Sequence, residues 1–136
     1  MTVPLFIIGA GGFGREVLSI VRAIAESGGT KYSAVFIDDR PTESNLALVD
    51  ELGATLGGNV NDLAMRDIET RAVIAIGDAS ARQQVAERLR HSPIIWPTLI
   101  HPAASQQCRS FFSRDRPLLR FLSCWTDPVV WCAIWA

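Results

Sequence analysis

An α/β architecture, with parallel strands buried between helices, is predicted by three observations. Short apolar runs of strand length alternate along the chain with stretches whose apolar residues recur at helical spacing. The first of these runs, residues 5–8, leads straight into a glycine-rich turn and then a helical pattern. A later run, residues 71–77, is apolar at consecutive positions, as a central strand covered on both faces must be. Strands connected through helices pair in parallel and carry helices on both faces, which is a Rossmann-like sheet.

Taken in order, Leu5, Phe6, Ile7 and Ile8 lie between Pro4 and Gly9 and form the first buried strand. Val17, Leu18, Ile20, Val21, Ile24 and Ala25 then recur at helical spacing as far as Gly28 and Gly29, which can supply a left-handed stop. A second strand is expected over residues 33–37, ending on the acidic pair Asp38 and Asp39. The segment "ALVDELGATLGG" is ambiguous and reads as a small element with a short third strand near Thr55 and Leu56. "NVNDLAMRD" reads as a short helix with Asn61 as its cap. "RAVIAIG", residues 71–77, is the clearest central strand. Asp78 and Ser80 precede the helical "ARQQVAERLR", in which Val85 and Leu89 lie four apart on one face. "IIWPTLI" is interrupted by Pro97 and predicts a strand toward an edge.

Composition excludes several classes. A chain of 136 residues with 49% hydrophobic content and a net charge of -1 is neither a disordered segment nor a general nucleic-acid binder. No stretch approaches the roughly 18 to 20 consecutive apolar residues that cross a bilayer, and no basic segment with an apolar core marks a signal peptide. A cytoplasmic protein without membrane or nucleic-acid partners is therefore expected. The three cysteines, Cys108, Cys124 and Cys132, form no C-x-x-C pair and have no histidines at ligand spacing, so neither a disulfide framework nor a metal site is expected.

In open parallel sheets ligands bind beyond the carboxyl ends of the strands. Three places converge there: residues 9–14, Asp38 with Asp39, and Gly77 with Asp78. Gly9, Gly11 and Gly14 match G-x-G-x-x-G, a spacing that allows a tight turn, a backbone free of Cβ atoms near a phosphate, and close packing of helix on strand. The alternative is a turn that binds nothing. Asp38 follows the loop at about the 20-residue offset at which an acid meets a ribose hydroxyl, and is otherwise a solvated turn acid. Asp78 is either a helix cap or a ligand contact. Arg15 stands near the phosphate position or is a solvated first-turn arginine, and His101, before Pro102, reads as a turn residue rather than a base.

Five motifs together, "IIGAGGFGREV", "FIDD", "LGG" with Asp62 behind it, "VIAIGDASARQQV" and "IHPAAS", resemble the N-terminal domain of the NeuD and PglD family of sugar O- and N-acetyltransferases. The resemblance runs from about Leu5 to Ser105. It implies a nucleotide-sugar-binding domain over residues 1–105 whose ligand is a nucleotide-linked sugar, a UDP-amino-sugar in the PglD branch. It also implies that a left-handed β-helix, following the domain, binds acetyl-CoA and carries the catalytic histidine. Carried over by motif, Gly9, Ala10, Gly11, Gly12, Phe13 and Gly14 meet the sugar-nucleotide, Asp38 and Asp39 its uridine end, and Gly77 and Asp78 form the neighbouring wall. Phe13 stands where many relatives have histidine. No catalytic residue is assigned: neither His91 nor His101 matches the family's catalytic motif. No cofactor is expected on this chain, acetyl-CoA being the acyl donor of the full-length family.

Residues 106–136 depart from the pattern. They show no hexapeptide repeat, yet hold all three cysteines and three of the four tryptophans, Trp125, Trp131 and Trp135. Translation in a shifted frame and a divergent tail both account for this shift in composition. A helix over 117–125 and a strand over 129–135 are expected in the tail, whose apolar residues offer a surface for a second copy. On this reading the chain is catalytically incomplete without the β-helix. A dinucleotide-binding domain of an NAD-dependent oxidoreductase and a non-catalytic interaction module are the competing readings.

Overall fold

Apolar residues at consecutive positions commit Val3–Ile8 (β1) to the middle of the sheet, and it pairs on both sides. The computed structural model describes residues 1–103. In register with β1, Val3 opposite Tyr32 through Ile8 opposite Ile37, lies Tyr32–Ile37 (β2). On its other side lies Thr70–Ile74 (β4), with Phe6 opposite Ala72 and Ile8 opposite Ile74. The two-residue strands Thr55–Leu56 (β3) and Ile94–Ile95 (β5) close the edges. Every pairing is parallel and the order is β3-β2-β1-β4-β5, the Rossmann-like arrangement expected. Pro97 follows β5 closely, which suits the short edge strand predicted there.

Alternation of side chains along β1 divides the core in two. Leu5 and Ile7 point to one face with Phe36 and Val73, against Val17, Leu18 and Val21 of α1 (Gly12–Glu26) and Val49 of α2 (Glu43–Glu51). Phe6 and Ile8 point to the other with Ile37, Ala72 and Ile74, against Val60 and Leu63 of α3 (Val60–Ala64). Val85 of α4 (Ala79–Arg88) and Leu89 just beyond it complete that side, so the predicted pair four apart is buried as a pair. Each fully buried Leu or Ile contributes about 1.5 to 3 kcal/mol, which makes the two half-cores the main hold on the helices.

Where the residues pattern strongly, the kind of element agrees with the sequence. α1 ends in the left-handed stop expected of its glycines: Gly28 has φ 84, its N–H donates to Ala25 O, and Gly29 N–H donates to Ile24 O. Three details differ. A helix, α2, begins before the ambiguous segment and runs into it, capped by Thr42, whose hydroxyl accepts from Asn45 N–H. The cap of α3 is Asn59 and not Asn61, because Asn59 and Asp62 satisfy each other's backbone N–H groups in a capping box. β4 stops at Ile74, short of the expected end at Gly77, although Ala75 N–H still donates to Ile8 O at 2.8 Å. The expected boundary at residue 105 and the expected tail helix and strand lie outside the described residues.

Candidate functional site

The strand order reverses between β1 and β4, and the crevice beyond their carboxyl ends is where an open parallel sheet receives a ligand. β1 leaves the sheet at Gly9, whose φ of 115 and whose missing Cβ are both required: a Cβ there would stand 2.5 Å from Ala75 O of the neighbouring strand's extension. Gly14 serves differently. A side chain on it would collide with Gly9 O, so its absence lets α1 lie directly on the turn it springs from. Gly11, by contrast, faces open space, with nothing within 4 Å of where a Cβ would be.

Gly11 is also the N-cap of α1, with extended backbone and no side-chain hydrogen bond. The first backbone bond of the helix is Arg15 N–H to Gly11 O, at 3.2 Å. The N–H groups of Gly12, Phe13 and Gly14 donate to none of the described residues. Three donors and the positive end of a 15-residue helix thus meet at the crevice. The Phe13 ring packs on the α1-side core, so this residue presents its backbone to the crevice.

Two side chains hold the loop in place. Asp38, at the end of β2, accepts Ala10 N–H on Oδ2 at 2.8 Å and Arg40 N–H on Oδ1 at 2.9 Å. Arg15 donates through Nη1 to Ala10 O at 3.2 Å and to Asn45 Oδ1 of α2 at 3.0 Å. Its partners are neutral, so its positive charge stays beside the uncapped helix.

Asp39 is the next residue and goes elsewhere. It accepts Val60 N–H at 2.8 Å and pairs with Arg88 of α4 at 2.6 Å, while Arg88 also donates to Asn61 Oδ1 at 2.7 Å. Partial desolvation opposes its ionisation, but the hydrogen bonds from Arg88 and Val60 N–H, with the charges of Arg88 and Arg40, outweigh it and hold the carboxyl below its usual range. Asp38 therefore joins the glycine loop, and Asp39 joins β2 to α3 and α4.

Across the crevice, Gly77 also has open space where a Cβ would stand. Asp78 is the N-cap of α4, accepting Ala81 N–H on Oδ1 at 2.7 Å. Behind them lies Arg82, 5% exposed, which donates to Ile76 O at 2.9 Å and Gly77 O at 2.8 Å. The two histidines do not join this group. His91 follows α4 near Pro93, whose carbonyl accepts from Thr70 at the start of β4, so it sits at the sheet edge opposite the crevice. His101 Nδ1 accepts Ala103 N–H at 3.1 Å.

The PglD N-terminal domain family matches residues 4–89, a span that runs from the second residue of β1 through α4 and holds all three sides of the crevice. The chain belongs to the PglD N-terminal domain family. No curated protein and no solved structure matches it.

Within this PglD N-terminal domain the glycine loop, Asp38, Gly77 and Asp78 lie around the crevice, Asp39 turns toward Arg88, and two supports were not singled out from the sequence. Arg82 stands three before Val85 and seven before Leu89, so it lies on the same buried helical stripe, and a charge on an apolar stripe was the available signal. Asn45 stands three after Thr42, where a first-turn residue can reach a neighbouring loop. Among the described residues no cluster of metal-ligating side chains occurs, and no helix is long and apolar enough to cross a membrane.

Proposed function

We propose that the crevice between β1 and β4 binds a nucleotide-linked sugar of the UDP-amino-sugar class, with its diphosphate over residues 9–14. The observation that carries this reading is the uncapped start of α1, with three free N–H donors beside a glycine that faces open space, in a chain of this family. Arg15 supplies charge to the phosphates, and Asp38, with lone pairs beyond those given to Ala10 and Arg40, accepts a ligand hydroxyl. Gly77 and Asp78 form the opposite wall. Asp39 contributes by fixing the α3 and α4 side of β2.

Acetyl transfer to the sugar requires a base at the attacking amine or hydroxyl and a thioester held alongside it. The crevice residues described above include no histidine, and this domain is proposed to present the acceptor sugar while a β-helix performs the transfer. The cytoplasm, where sugar nucleotides are made, is the compartment this reading implies. The second reading, a dinucleotide such as NAD, is favoured by Asp38 alone, since it stands at the end of β2 where a ribose hydroxyl would lie.

Thermal unfolding with a UDP-amino-sugar, NAD and CoA side by side separates these readings. A ligand at 100 times its Kd adds about 2.7 kcal/mol, and the expected response is to the UDP-amino-sugar alone. A response to NAD without one to the UDP-amino-sugar would replace the proposal with its competitor. Steady acetyl transfer by the purified chain would remove the division of labour.

A further inference from the structure

Arg82 is the one charged side chain in the buried part of the described residues, at 5% exposure. Its Nη1 serves two carbonyls, Ile76 O at 2.9 Å and Gly77 O at 2.8 Å, while its Nε is buried with no hydrogen-bond partner. The ion pairs among the described residues, Arg88 with Asp39 and Arg90 with Glu87, do not include it. A buried cation without a counter-ion is costly, and an apolar side chain of similar length would pack α4 on the sheet at less expense. What the guanidinium does that an apolar chain cannot is grip the two peptide groups between β4 and α4.

That grip has a geometric consequence. In a planar trans peptide the C=O and the following N–H point in opposite directions, and no cis bond occurs here. With the carbonyls of Ile76 and Gly77 turned to Arg82, the N–H groups of Gly77 and Asp78 are turned away from it and from α4. Neither donates to any described residue, and nor do those of Ala79 and Ser80 in the first turn of α4. Gly77 has open space where a Cβ would stand, and both Gly77 and Asp78 are exposed. Asp78 directs Oδ1 to Ala81 N–H, and its exposed charge is screened by water more than the buried charge of Arg82. The local field favours an oxyanion.

We infer that Arg82 is a positioning residue that holds the Gly77 and Asp78 N–H groups outward as a second oxyanion-binding segment, facing the ligand across the crevice from residues 12–14. Only the identity of the ligand rests on the function proposed above, under which the oxyanion is a phosphate of the sugar nucleotide. The donors themselves are independent of it and respond to inorganic pyrophosphate.

The test is a titration of the full 15N-labelled chain with inorganic pyrophosphate at fixed ionic strength, following the amide signals of Gly12, Phe13, Gly14, Gly77 and Asp78. In the wild type all five move along one saturable curve. In Arg82→Met the Gly77 and Asp78 signals cease to respond, those of residues 12–14 still move, and the apparent Kd rises about tenfold, the loss expected when donors to a charged group are misplaced. Arg82→Lys, which keeps a charged donor, recovers most of the response. A purely structural role would not separate the two sets of amides. If Arg82→Met does not fold, Arg82→Gln takes its place and the wild-type titration still decides. Silent Gly77 and Asp78 signals in the wild type, or an unchanged response in Arg82→Met, overturn the inference. If the amides respond to pyrophosphate but a UDP-amino-sugar does not displace it, the inference stands and the proposed function fails.

Discussion

The helices α1 and α3 both begin at the carboxyl edge of the sheet and are finished in opposite ways. At α3 the Asn59 and Asp62 side chains cap each other's backbone, and Asp39 takes Val60 N–H as well. At α1 the cap is Gly11, with no side chain to offer, and the N–H groups of residues 12–14 donate to none of the described residues. A five-residue helix is too short to hold itself and needs every cap available. A 15-residue helix with five buried residues does not, and can leave its donors to a ligand. The open start is sustained by stability gained elsewhere along α1.

Filling the space that Gly14 leaves should have the largest effect. Gly14→Ala drives a methyl group into Gly9 O and is expected to cost about 3 kcal/mol in urea denaturation, because backbone on both sides must shift. Equal stability would show that α1 does not need its close approach to the turn. Closing α1 in the manner of α3 tests the comparison directly. Gly11→Asp places a carboxylate at an extended N-cap with free space around it, and should change stability by only a few tenths of a kcal/mol. Calorimetry should then find UDP-amino-sugar affinity lowered at least about a hundredfold, or roughly 2.7 kcal/mol. Retained affinity would place the phosphates somewhere other than this helix start.

The neighbouring carboxylates sharpen the contrast on a smaller scale. Asp38→Ala frees Ala10 N–H and should weaken UDP-amino-sugar binding by about 1 to 3 kcal/mol, whereas Asp39→Ala should leave affinity within about threefold. Equal losses in the two variants would mean that Asp39 also reaches the ligand. Opening α3 in the manner of α1, by Asn59→Ala, should cost about 1 kcal/mol of stability with no change in binding.

The smallest effect concerns acid. Asp39 titrates below its ordinary value of 3.8 in the folded protein, so the stability it contributes is present above that value and is lost as pH falls through the lower folded one. Because Asp39 and Arg88 are both 37% exposed, the contribution should be under about 1 kcal/mol. Asp39→Asn should lose this part of the acid dependence, measured as unfolding midpoint between about pH 4 and pH 2. An unchanged acid limb would show that the pair with Arg88 does not hold in solution.

The sequence by itself determined the kinds of elements, their order and the turn at the head of α1. Those signals are local: the apolar run of β1, the helical recurrence from Val17 to Ala25, the glycines whose spacing reports backbone clearance. Its weakest stretch became α2, where Val49 is the sole buried residue and periodicity has little to report. Family membership was legible for the same reason, since the motifs that carry it are short and follow in order, all but IHPAAS lying within the matched residues 4–89. Tertiary structure decided where side chains of one type and adjacent number go. Asp38 and Asp39 are consecutive, yet one reaches Ala10 across 28 positions and the other Arg88 across 49. Beyond the end of a strand, neighbouring side chains leave toward opposite faces, and what waits on each face is set by chain folded back from far away. Arg82 teaches the same lesson from inside: its helical stripe was visible, but the carbonyls that make a buried guanidinium tolerable exist only once β4 has ended and α4 has packed on the sheet.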